Sequence, residues 1–390
     1  MGLFAEVIRL WTPASRRSMV AKFSKETFLA DGVILPDERQ TPGGNRGLTY
    51  PFPTPPGVGE AVVVAAGVLW LRLPLPMSLN HINVYALEDG DGWTLVDTGL
   101  NTPTSIAAWE AALAGPLGGR PVKRVICTHM HPDHIGLAGW LCERFQVPLL
   151  MTRLEYVMAR MLIADTGQPA PEDGAVFYHA AGWNADQIAG YRKHFGGFGK
   201  AVRPLPTVFT RMVEGEVLTI GDGAWRVVIG EGHSPEHACL WRESDDVVLG
   251  GDQILPRISS IVAVWPTEPA ADPLGDWLDS LRRMKTVFPE GTLVLPSHGE
   301  PFTGVQTRLD ALIRGHETGL TRLQRTLARP CRAVDVFGAL FARAIDDGLL
   351  GMATGESLAH LNYLVRHGRA QVARDADGVD WWTLTSSSET

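Results

Sequence analysis

A nine-residue stretch from Thr128 to Gly136 constrains this chain more than any other part, because it reads Thr-His-Met-His-Pro-Asp-His-Ile-Gly. The apolar run at residues 122–127 before it predicts a buried strand, and residues 136–145 after it predict a helix. The stretch therefore lies where a strand turns into a helix. Four side chains of metal-binding types fall within six positions here, which indicates a metal site rather than a solvated turn.

The spacing within this stretch predicts two metal positions. Side chains two residues apart in an extended segment point to the same side, so the imidazoles of His129 and His131 converge on one point. Asp133 and His134 follow on the turn into the helix, which directs them to a second point close by. Imidazole and carboxylate ligands without a thiolate suit two divalent metal ions, with Zn2+ favoured and iron or manganese as alternatives.

Later apolar runs end in residues of the same types. His233, Asp252 and His298 each stand just after a run that predicts a strand. A lone histidine after a strand is more often an ordinary loop residue, but here four strands in series end in His or Asp with glycine beside them. Glycine lets the backbone approach a site closely. These three residues are therefore candidates for the same metal site.

The composition is that of an ordinary globular protein, with 45% hydrophobic and 20% charged residues in 390. No apolar run approaches the roughly 20 residues that span a bilayer, so no membrane segment is predicted. The four cysteines stand singly, without a Cys-x-x-Cys pair, which favours reduced thiols and a cytoplasmic protein. The net charge of -8 argues against a surface built for nucleic acid.

Residues 1–59 are predicted to form an N-terminal arm and a linker. Residues 1–30 are weakly basic and weakly amphipathic, which favours an arm that packs on the body or on a partner subunit, with a transit peptide as the alternative. Residues 35–59 are rich in Pro and Gly and predict an extended linker or surface loop.

Residues 151–205 are predicted to form a helical insertion rich in aromatic side chains. Helices are expected at 153–166 and 185–195, joined by a Pro/Gly loop. Most of the aromatic residues should pack on a sheet, but a lid over a metal site would need the same residues. Candidates for the wall of a substrate pocket are Tyr156, Trp183 and Tyr191.

The metal-binding residues resemble those of the metallo-β-lactamase fold superfamily. Its His-x-His-x-Asp-His signature matches the stretch at 129–134, and its later ligands match His233, Asp252 and His298. The upstream Asp-Thr-Gly of the family matches Asp97 and the two residues after it. The resemblance covers residues 60–304 and implies an α/β fold, an αββα sandwich of two sheets with helices outside and a dinuclear site at the sheet edge.

The resemblance also implies a role for each matched residue. One metal would be held by His129, His131 and His233. The other would be held by Asp133, His134 and His298. Asp252 would bridge the two, Asp133 would orient the attacking hydroxide, and these two aspartates are the predicted catalytic residues. Asp97 and His237 are expected behind the ligands, within hydrogen-bonding reach of them.

Two residues refine the resemblance within the superfamily. A bridging Asp, as at position 252, is similar to glyoxalase II, the lactonases and the RNA-processing branch, whereas true metallo-β-lactamases place Cys or Ser there. Hydrolysis of β-lactams is therefore disfavoured. Glu236 departs from the Gly of the family's Gly-His-Thr-Pro-Gly-His pattern. The residues that contact glutathione in glyoxalase II are not recognisable, which argues against an acyl-glutathione substrate.

Residues 305–390 are predicted to form a helical domain that ends in two strands, similar to the winged-helix-like C-terminal domain of the branch that includes mitochondrial endoribonucleases. The predicted elements are helices at 306–327, 333–346 and 355–367 and strands at 370–374 and 381–384. Between residues 322 and 374, eight Arg stand against four acidic residues. This basic face favours packing over the active site or a homodimer contact, with nucleic-acid binding as the alternative.

The predicted function is hydrolysis by a hydroxide that bridges two metal ions, because such a pair lowers the pKa of a shared water towards neutrality. The acidic net charge and the aromatic insertion favour a small-molecule ester, thioester or lactone. The alternative is a phosphodiesterase or endoribonuclease that uses the basic tail. A non-catalytic, metal-stabilised binding module is expected to lack one of the ligands, and all seven are present.

Overall fold

The computed structural model describes residues 47–52 and 54–385, and the structural statements below concern these residues. The arm predicted for residues 1–30 lies outside them, as does most of the predicted linker. No helix within these two ranges is long and apolar enough to cross a membrane.

The first sheet begins as an antiparallel meander and continues with parallel strands. The meander comprises β1 (Val62–Ala65), β2 (Val68–Pro74), β3 (His81–Asp89) and β4 (Gly92–Val96). The parallel strands are β5 (Val122–Ile126), β6 (Leu149–Met151) and β7 (Thr210–Arg211). All seven lie across the sheet in chain order. The predicted strand before the histidine stretch is therefore confirmed.

The second sheet has the spatial order β12, β11, β10, β9, β8. Its strands are β8 (Val217–Ile220), β9 (Gly223–Gly230), β10 (His237–Arg242), β11 (Val247–Gly251) and β12 (Leu293–Pro296). Strands β11 and β12 run parallel, and the other pairs are antiparallel. Parallel pairing brings the ends of β11 and β12 to the same edge, where each delivers a predicted ligand.

The two sheets pack face to face over a shared apolar core. Trp70 on β2 and Trp225 on β9 are buried in it. Because side chains alternate along a strand, β2 directs Trp70 into this core and its neighbours Leu71 and Leu73 to the opposite face. The first sheet is therefore apolar on both faces and needs a cover on its outside.

Helices provide that cover on both outer faces. Their bounds are α1 (Pro103–Ala114), α2 (Pro132–Ile135), α3 (Ala138–Phe145), α4 (Arg153–Ala164), α5 (Glu172–Ala180), α6 (Ala185–His194) and α7 (Pro273–Val287). Helices α1, α3 and α4 share a cluster with the outer face of the first sheet, and α7 covers the second. The expected αββα layering is confirmed.

The insertion differs from its prediction in one element. Helix α5 occupies residues 172–180, where a Pro/Gly loop was predicted. Glu172 and Asp173 fill its first turn, and negative charge there stabilises the partial positive charge of a helix N-terminus. The acidic pair after Pro171 was thus a helix-start signal that the surrounding Pro and Gly residues obscured.

The C-terminal region contains α8 (Val305–Thr326), a 3-10 turn (Ala333–Val336), α9 (Phe337–Leu340), α10 (Leu350–Arg366) and a hairpin of β13 (Ala370–Arg374) and β14 (Asp380–Leu384). The helix predicted at 333–346 is wrong beyond Leu340. Phe341 takes an extended backbone and buries its ring in the core, which ends the helix. Helices α8 and α10 share that hydrophobic core with α7.

Candidate metal centre

The predicted ligands meet at one edge of the sandwich, where loops from both sheets converge. The loop after β5 carries four of them, and the loops after β9, β11 and β12 carry one each. A hydrogen bond of 2.8 Å from the Ala238 amide to the Thr128 carbonyl joins the two sheets directly at this edge. The seven side chains are thus supplied by strand ends that the core holds in register.

Three histidines form the first group. The Nε2 atom of His129 lies 2.8 Å from Nδ1 of His131 and 3.3 Å from Nε2 of His233. One ligand atom from each residue falls within 4.8 Å of the others, a spacing that could hold a metal ion. The alternation of side chains along the extended segment, used to predict this convergence, operates as expected.

A second group lies beside the first. It comprises Asp133, His134 and His298, whose ligand atoms also lie within 4.8 Å of one another. The Nε2 atom of His298 is 3.4 Å from Oδ2 of Asp133, and Nε2 of His134 is 3.8 Å from the same oxygen. All four ligand-type side chains of the 129–134 stretch are therefore engaged in one group or the other.

Asp252 stands between the groups and presents one carboxylate oxygen to each. Its Oδ2 atom lies 3.5 Å from Nε2 of His233, in the first group. Its Oδ1 atom lies 3.5 Å from Nε2 of His134 and 3.4 Å from Nε2 of His298, in the second. This is the arrangement that a carboxylate bridging two ions requires.

Two buried atoms test whether these residues fit metal ions. Nε2 of His134 and Oδ1 of Asp252 have no hydrogen-bond partner among the described residues. A buried polar atom without a partner costs about 1–3 kcal/mol, so such atoms usually have an occupant that satisfies them. The Nε2 atom of a neutral His134 and the Oδ1 atom of an ionised Asp252 can each offer a lone pair to a metal ion, and the two atoms face the same point. The donor set therefore fits divalent metal ions.

The ring nitrogens that face away from the cluster are held by hydrogen bonds. His233 Nδ1 lies 2.8 Å from the Ile261 carbonyl, and His298 Nδ1 lies 2.9 Å from the His81 carbonyl. His129 Nδ1 lies 3.1 Å from the Thr128 hydroxyl. A carbonyl can only accept, so His233 and His298 must carry their proton on Nδ1, which leaves Nε2 free to bind a metal.

Asp97 performs the same task for His134. Its Oδ2 atom accepts from His134 Nδ1 at 2.8 Å, while its Oδ1 atom accepts from the Thr128 amide at 2.8 Å. Asp97 is buried and adopts a φ of 60°, in the left-handed region that Asp tolerates better than most residues. It thus fixes both the tautomer of His134 and the start of the loop that carries the first group.

His237 lies behind the cluster, where its ring packs on that of His129, with 4.8 Å between the ring centroids, and hydrogen-bonds to the backbone of another ligand. Its Nε2 atom accepts from the amide of Asp252 at 3.0 Å. Gly251, with a φ of 52°, packs so closely on this ring that an added Cβ would lie 2.4 Å from it. Only glycine fits there, which explains the glycine beside the ligand in physical terms.

The electrostatics of the first group favour neutral imidazoles. Burial lowers the pKa of His129 well below its usual value and lowers the pKa of His131 to about 3. A neutral imidazole is the form that binds a metal, so no proton has to leave these two rings. These two rings can therefore lie close together without repulsion between positive charges.

The second group is dominated by carboxylates. Burial alone would lower the pKa of His134, but Asp97 and Asp133 raise it well above its usual value. Burial alone would raise the pKa of Asp252, but His298 and His134 hold it well below its usual range. A metal that enters here must displace protons from histidine, which makes binding weaker at low pH.

The predicted pocket aromatics lie in packing contacts. Tyr156 stacks on Phe209 at 3.9 Å and donates its hydroxyl to the Pro206 carbonyl, and Trp183 stacks on Tyr178 and donates Nε1–H to the Thr354 hydroxyl. Tyr191 is buried in the cluster with Trp183 and Tyr178. Within the described ranges, no hydrogen bond or ring contact joins these three residues to the histidines, and their role towards substrate stays a prediction.

Sequence reasoning did not identify Glu155. This residue is fully buried on the first turn of α4, and its carboxylate accepts hydrogen bonds from the amides of Met130 and Glu236. A single Glu in the first turn of a predicted helix is typical of an exposed position, so the sequence carried no local signal for it. The carbonyls of Ile261 and His81 were equally invisible, because backbone atoms leave no residue-type signature.

Comparison with protein families gives two matches along the chain. The model of the metallo-β-lactamase superfamily matches residues 78–298. The model of the metallo-β-lactamase-like C-terminal domain matches residues 320–385. The first match contains all seven candidate ligands.

Comparison with individual proteins gives related sequences and structures. A probable metallo-hydrolase of Bacillus subtilis, YqjP, is 27% identical over 307 residues, which cover 76% of this chain and 92% of that protein. An atrochrysone carboxyl ACP thioesterase of Aspergillus fumigatus is 26% identical over 60% of this chain and 41% of its own length. A β-lactamase domain protein of Burkholderia ambifaria has a similar structure, with a TM-score of 0.79 and 39% identity over 87% of this chain and 98% of that one.

Proposed function

This chain belongs to the metallo-β-lactamase superfamily and is a metal-dependent hydrolase, and on that premise we propose that it hydrolyses a small-molecule ester, thioester or lactone at a centre of two divalent metal ions. The observation that carries the dinuclear part is the position of Asp252, whose two carboxylate oxygens face different groups of histidines. A single-ion site would leave one of these oxygens buried without a partner.

When bound, two adjacent divalent ions would supply a water of lowered pKa and a Lewis acid that polarises the bond to be cleaved. Three residues would hold one ion (His129, His131 and His233) and three the other (Asp133, His134 and His298), with Asp252 shared between them. Zinc is the metal that this donor set favours, because it contains imidazole and carboxylate and no thiolate.

The protein residues would orient the reacting groups. His131 and Asp133 are the two members of the groups that are partly exposed, whereas the other histidines are buried. Substrate therefore approaches from the side of these two residues. Asp133 can accept a hydrogen bond from the attacking water and hold its proton, while the buried side of the cluster excludes bulk water. No Ser or Cys nucleophile is needed for this chemistry.

One observation supports an acyl substrate: the related fungal protein is named for thioester hydrolysis. Asp252 argues against β-lactams, because it stands where the resemblance places Cys or Ser in true β-lactamases. The name describes the fungal protein, and only the type of bond that is cleaved, a thioester, is proposed for this chain. The thiolate of a thioester also leaves without the prior protonation that an amide nitrogen requires.

The second candidate is a phosphodiesterase that acts on RNA, favoured by the Arg-rich tail. Four of its eight guanidinium groups already bind within the chain. Arg332 pairs with Asp335 at 2.8 Å, and Arg374 pairs with Asp380 at 2.7 Å. Arg322 donates to the Ala339 carbonyl at 2.8 Å, and Arg366 lies 3.9 Å from Asp272. These contacts leave fewer groups for phosphates, so we rank this candidate second.

The proposal is tested by one activity panel on zinc-loaded protein, in which acyl thioesters, lactones, a cephalosporin and single-stranded RNA are compared side by side. We expect turnover of a thioester or lactone that disappears on treatment with a chelator and returns with zinc. An Asp133→Asn variant should hold the second ion less tightly and lose turnover, because the amide is a weaker ligand than the carboxylate and cannot hold the proton. RNA cleavage without acyl hydrolysis would reverse our ranking, and cephalosporin hydrolysis alone would contradict it.

A further inference from the structure

Glu155 is an unusual residue for its position, because a buried carboxylate is costly unless it is well paired. Its side chain is fully buried, and burial raises the pKa of its carboxyl. Within the described ranges no Lys or Arg forms an ion pair with it. Two backbone amides donate to it instead, and together with the Ser234 side chain they offset part of the effect of burial on its pKa. The role of this buried carboxylate is therefore to be sought in its hydrogen bonds to the two amides.

The two amides belong to different ligand loops. Oε2 of Glu155 accepts from the amide of Met130 at 2.9 Å, and Oε1 accepts from the amide of Glu236 at 2.7 Å. Met130 stands between the ligands His129 and His131. Glu236 lies three residues after His233. One rigid carboxylate therefore spans the loop from the first sheet and the loop from the second, which together carry all three histidines of the first group.

The contact is reciprocal, since Glu236 also holds the helix that carries Glu155. Oε2 of Glu236 accepts from the amide of Leu154 at 2.9 Å, and its carbonyl accepts from the Thr152 hydroxyl at 2.7 Å. Thr152 is at the N-cap of α4 but makes no side-chain cap, so Glu236 satisfies one of the open amides of this helix. Glycine, which the family pattern has at position 236, could not provide this cap.

We propose that Glu155 is a positioning residue for the metal centre: it sets the spacing between the two loops that carry His129, His131 and His233, and so makes helix α4 part of the frame of the site. This inference rests on the metal centre of the proposed function. The three ligand nitrogens lie within 4.8 Å of one another. A bond that fixes both loops reduces the ordering that metal binding must otherwise bring about.

A purely structural role makes a different prediction. If Glu155 only stabilised the fold, its replacement would lower the stability of the metal-free and the metal-bound protein equally and would leave metal affinity unchanged. If it positions the loops, its replacement lowers the affinity for metal. Metal affinity therefore separates the two roles, whereas thermal stability alone does not.

The experiment compares zinc affinity of the full chain, measured by competition with a chelating indicator, for wild type, Glu155→Gln and Glu236→Gly. Gln has the same shape as Glu, but its NH2 group cannot accept from one of the two amides. We expect zinc affinity at the first group to fall about 10–100-fold, the range found when groups that orient metal ligands are removed. Glu236→Gly keeps its amide bond to Glu155 but loses the helix cap, so a smaller loss is expected.

The spectrum of the cobalt-substituted protein provides a second readout, because it reports the geometry around the ion. It should change in Glu155→Gln and stay the same in Asp272→Asn, a control that alters another buried carboxylate, the N-cap of α7. Wild-type affinity and an unchanged spectrum in Glu155→Gln would overturn the inference while leaving the proposed function intact. Absence of zinc binding by the wild type would overturn both.

Discussion

The substitution Asp97→Asn isolates the hydrogen bond that fixes the tautomer of His134. Asn matches Asp in shape and tolerates the φ of 60° at this position, so the backbone is not strained. If its oxygen keeps the bond to the Thr128 amide, its NH2 group faces His134 Nδ1. That nitrogen must then accept a hydrogen bond, which moves the proton to Nε2 and blocks the atom that is to bind metal.

The opposite orientation of the Asn side chain is also unfavourable. Its NH2 group would then meet the amide of Thr128, so that two buried donors face each other at a cost of about 1–3 kcal/mol. In either orientation the second group binds metal less well. Removing a group that orients a histidine ligand costs about 10–100-fold in affinity, or about 1.4–2.8 kcal/mol.

The assay is a zinc titration in competition with a chelating indicator, read as two binding steps. We expect the step assigned to Asp133, His134 and His298 to lose affinity by the factor given above. The step assigned to His129, His131 and His233 should change less, because Asp97 reaches that group only through Thr128. The matched control is Asp89→Asn, because Asp89 likewise accepts from a threonine hydroxyl, that of Thr94, and from a backbone amide, that of Gly221, but does not bond to a ligand. Two binding steps of wild-type affinity in Asp97→Asn would contradict the role of Asp97 in orienting His134.

Three further predictions concern the rest of the chain. The next change is charge reversal at four exposed arginines of the tail, Arg325, Arg329, Arg366 and Arg369. It should leave acyl turnover within a few-fold. If these side chains bind phosphates, the same change should flatten the salt dependence of RNA affinity. Trp183→Ala should lower the unfolding free energy in urea by about 3–5 kcal/mol, through lost packing and the lost bond to Thr354, with KM unchanged; a raised KM at normal stability would restore its pocket role. Burial lowers the pKa of His360 from 6.5 to about 4, so the unfolded state takes up its proton first and stability is lost as pH falls from about 6.5 towards 4. His360→Gln should therefore flatten the acid side of a urea-denaturation pH profile of metal-free protein by up to about 1.4 kcal/mol per pH unit, and an unchanged profile would contradict this.

The sequence was most informative where local geometry and chemistry coincide. The convergence of His129 and His131 follows from the two-residue period of a strand and needs no tertiary information. The sites of His233, Asp252 and His298 were found because each follows an apolar run, and the family resemblance then assigned them to groups. The αββα layering came from the resemblance, since the order of strands in two sheets is not encoded in any single segment.

Other features depend on long-range contacts that a residue pattern does not reveal. Glu155 meets Glu236 across 81 positions of sequence, and its burial reverses what a Glu in a first helical turn usually indicates. The pocket assignment of Trp183 drew on residue type alone, and the same ring serves equally well in packing. The helix predicted at 333–346 ends before Phe341, whose ring packs in the hydrophobic core. That core is formed by the tertiary structure, so the local sequence does not reveal it.

The number of metal ions bound per chain tests the dinuclear centre directly. Wild type, His134→Ala and Asp252→Ala are loaded with zinc, desalted and analysed for metal and protein. We expect two ions per chain in the wild type, loss of the second-group ion in His134→Ala, and a deeper loss in Asp252→Ala, because the Asp252 carboxylate faces both groups. One ion or fewer in the wild type, or full occupancy in Asp252→Ala, would contradict a dinuclear centre bridged by Asp252.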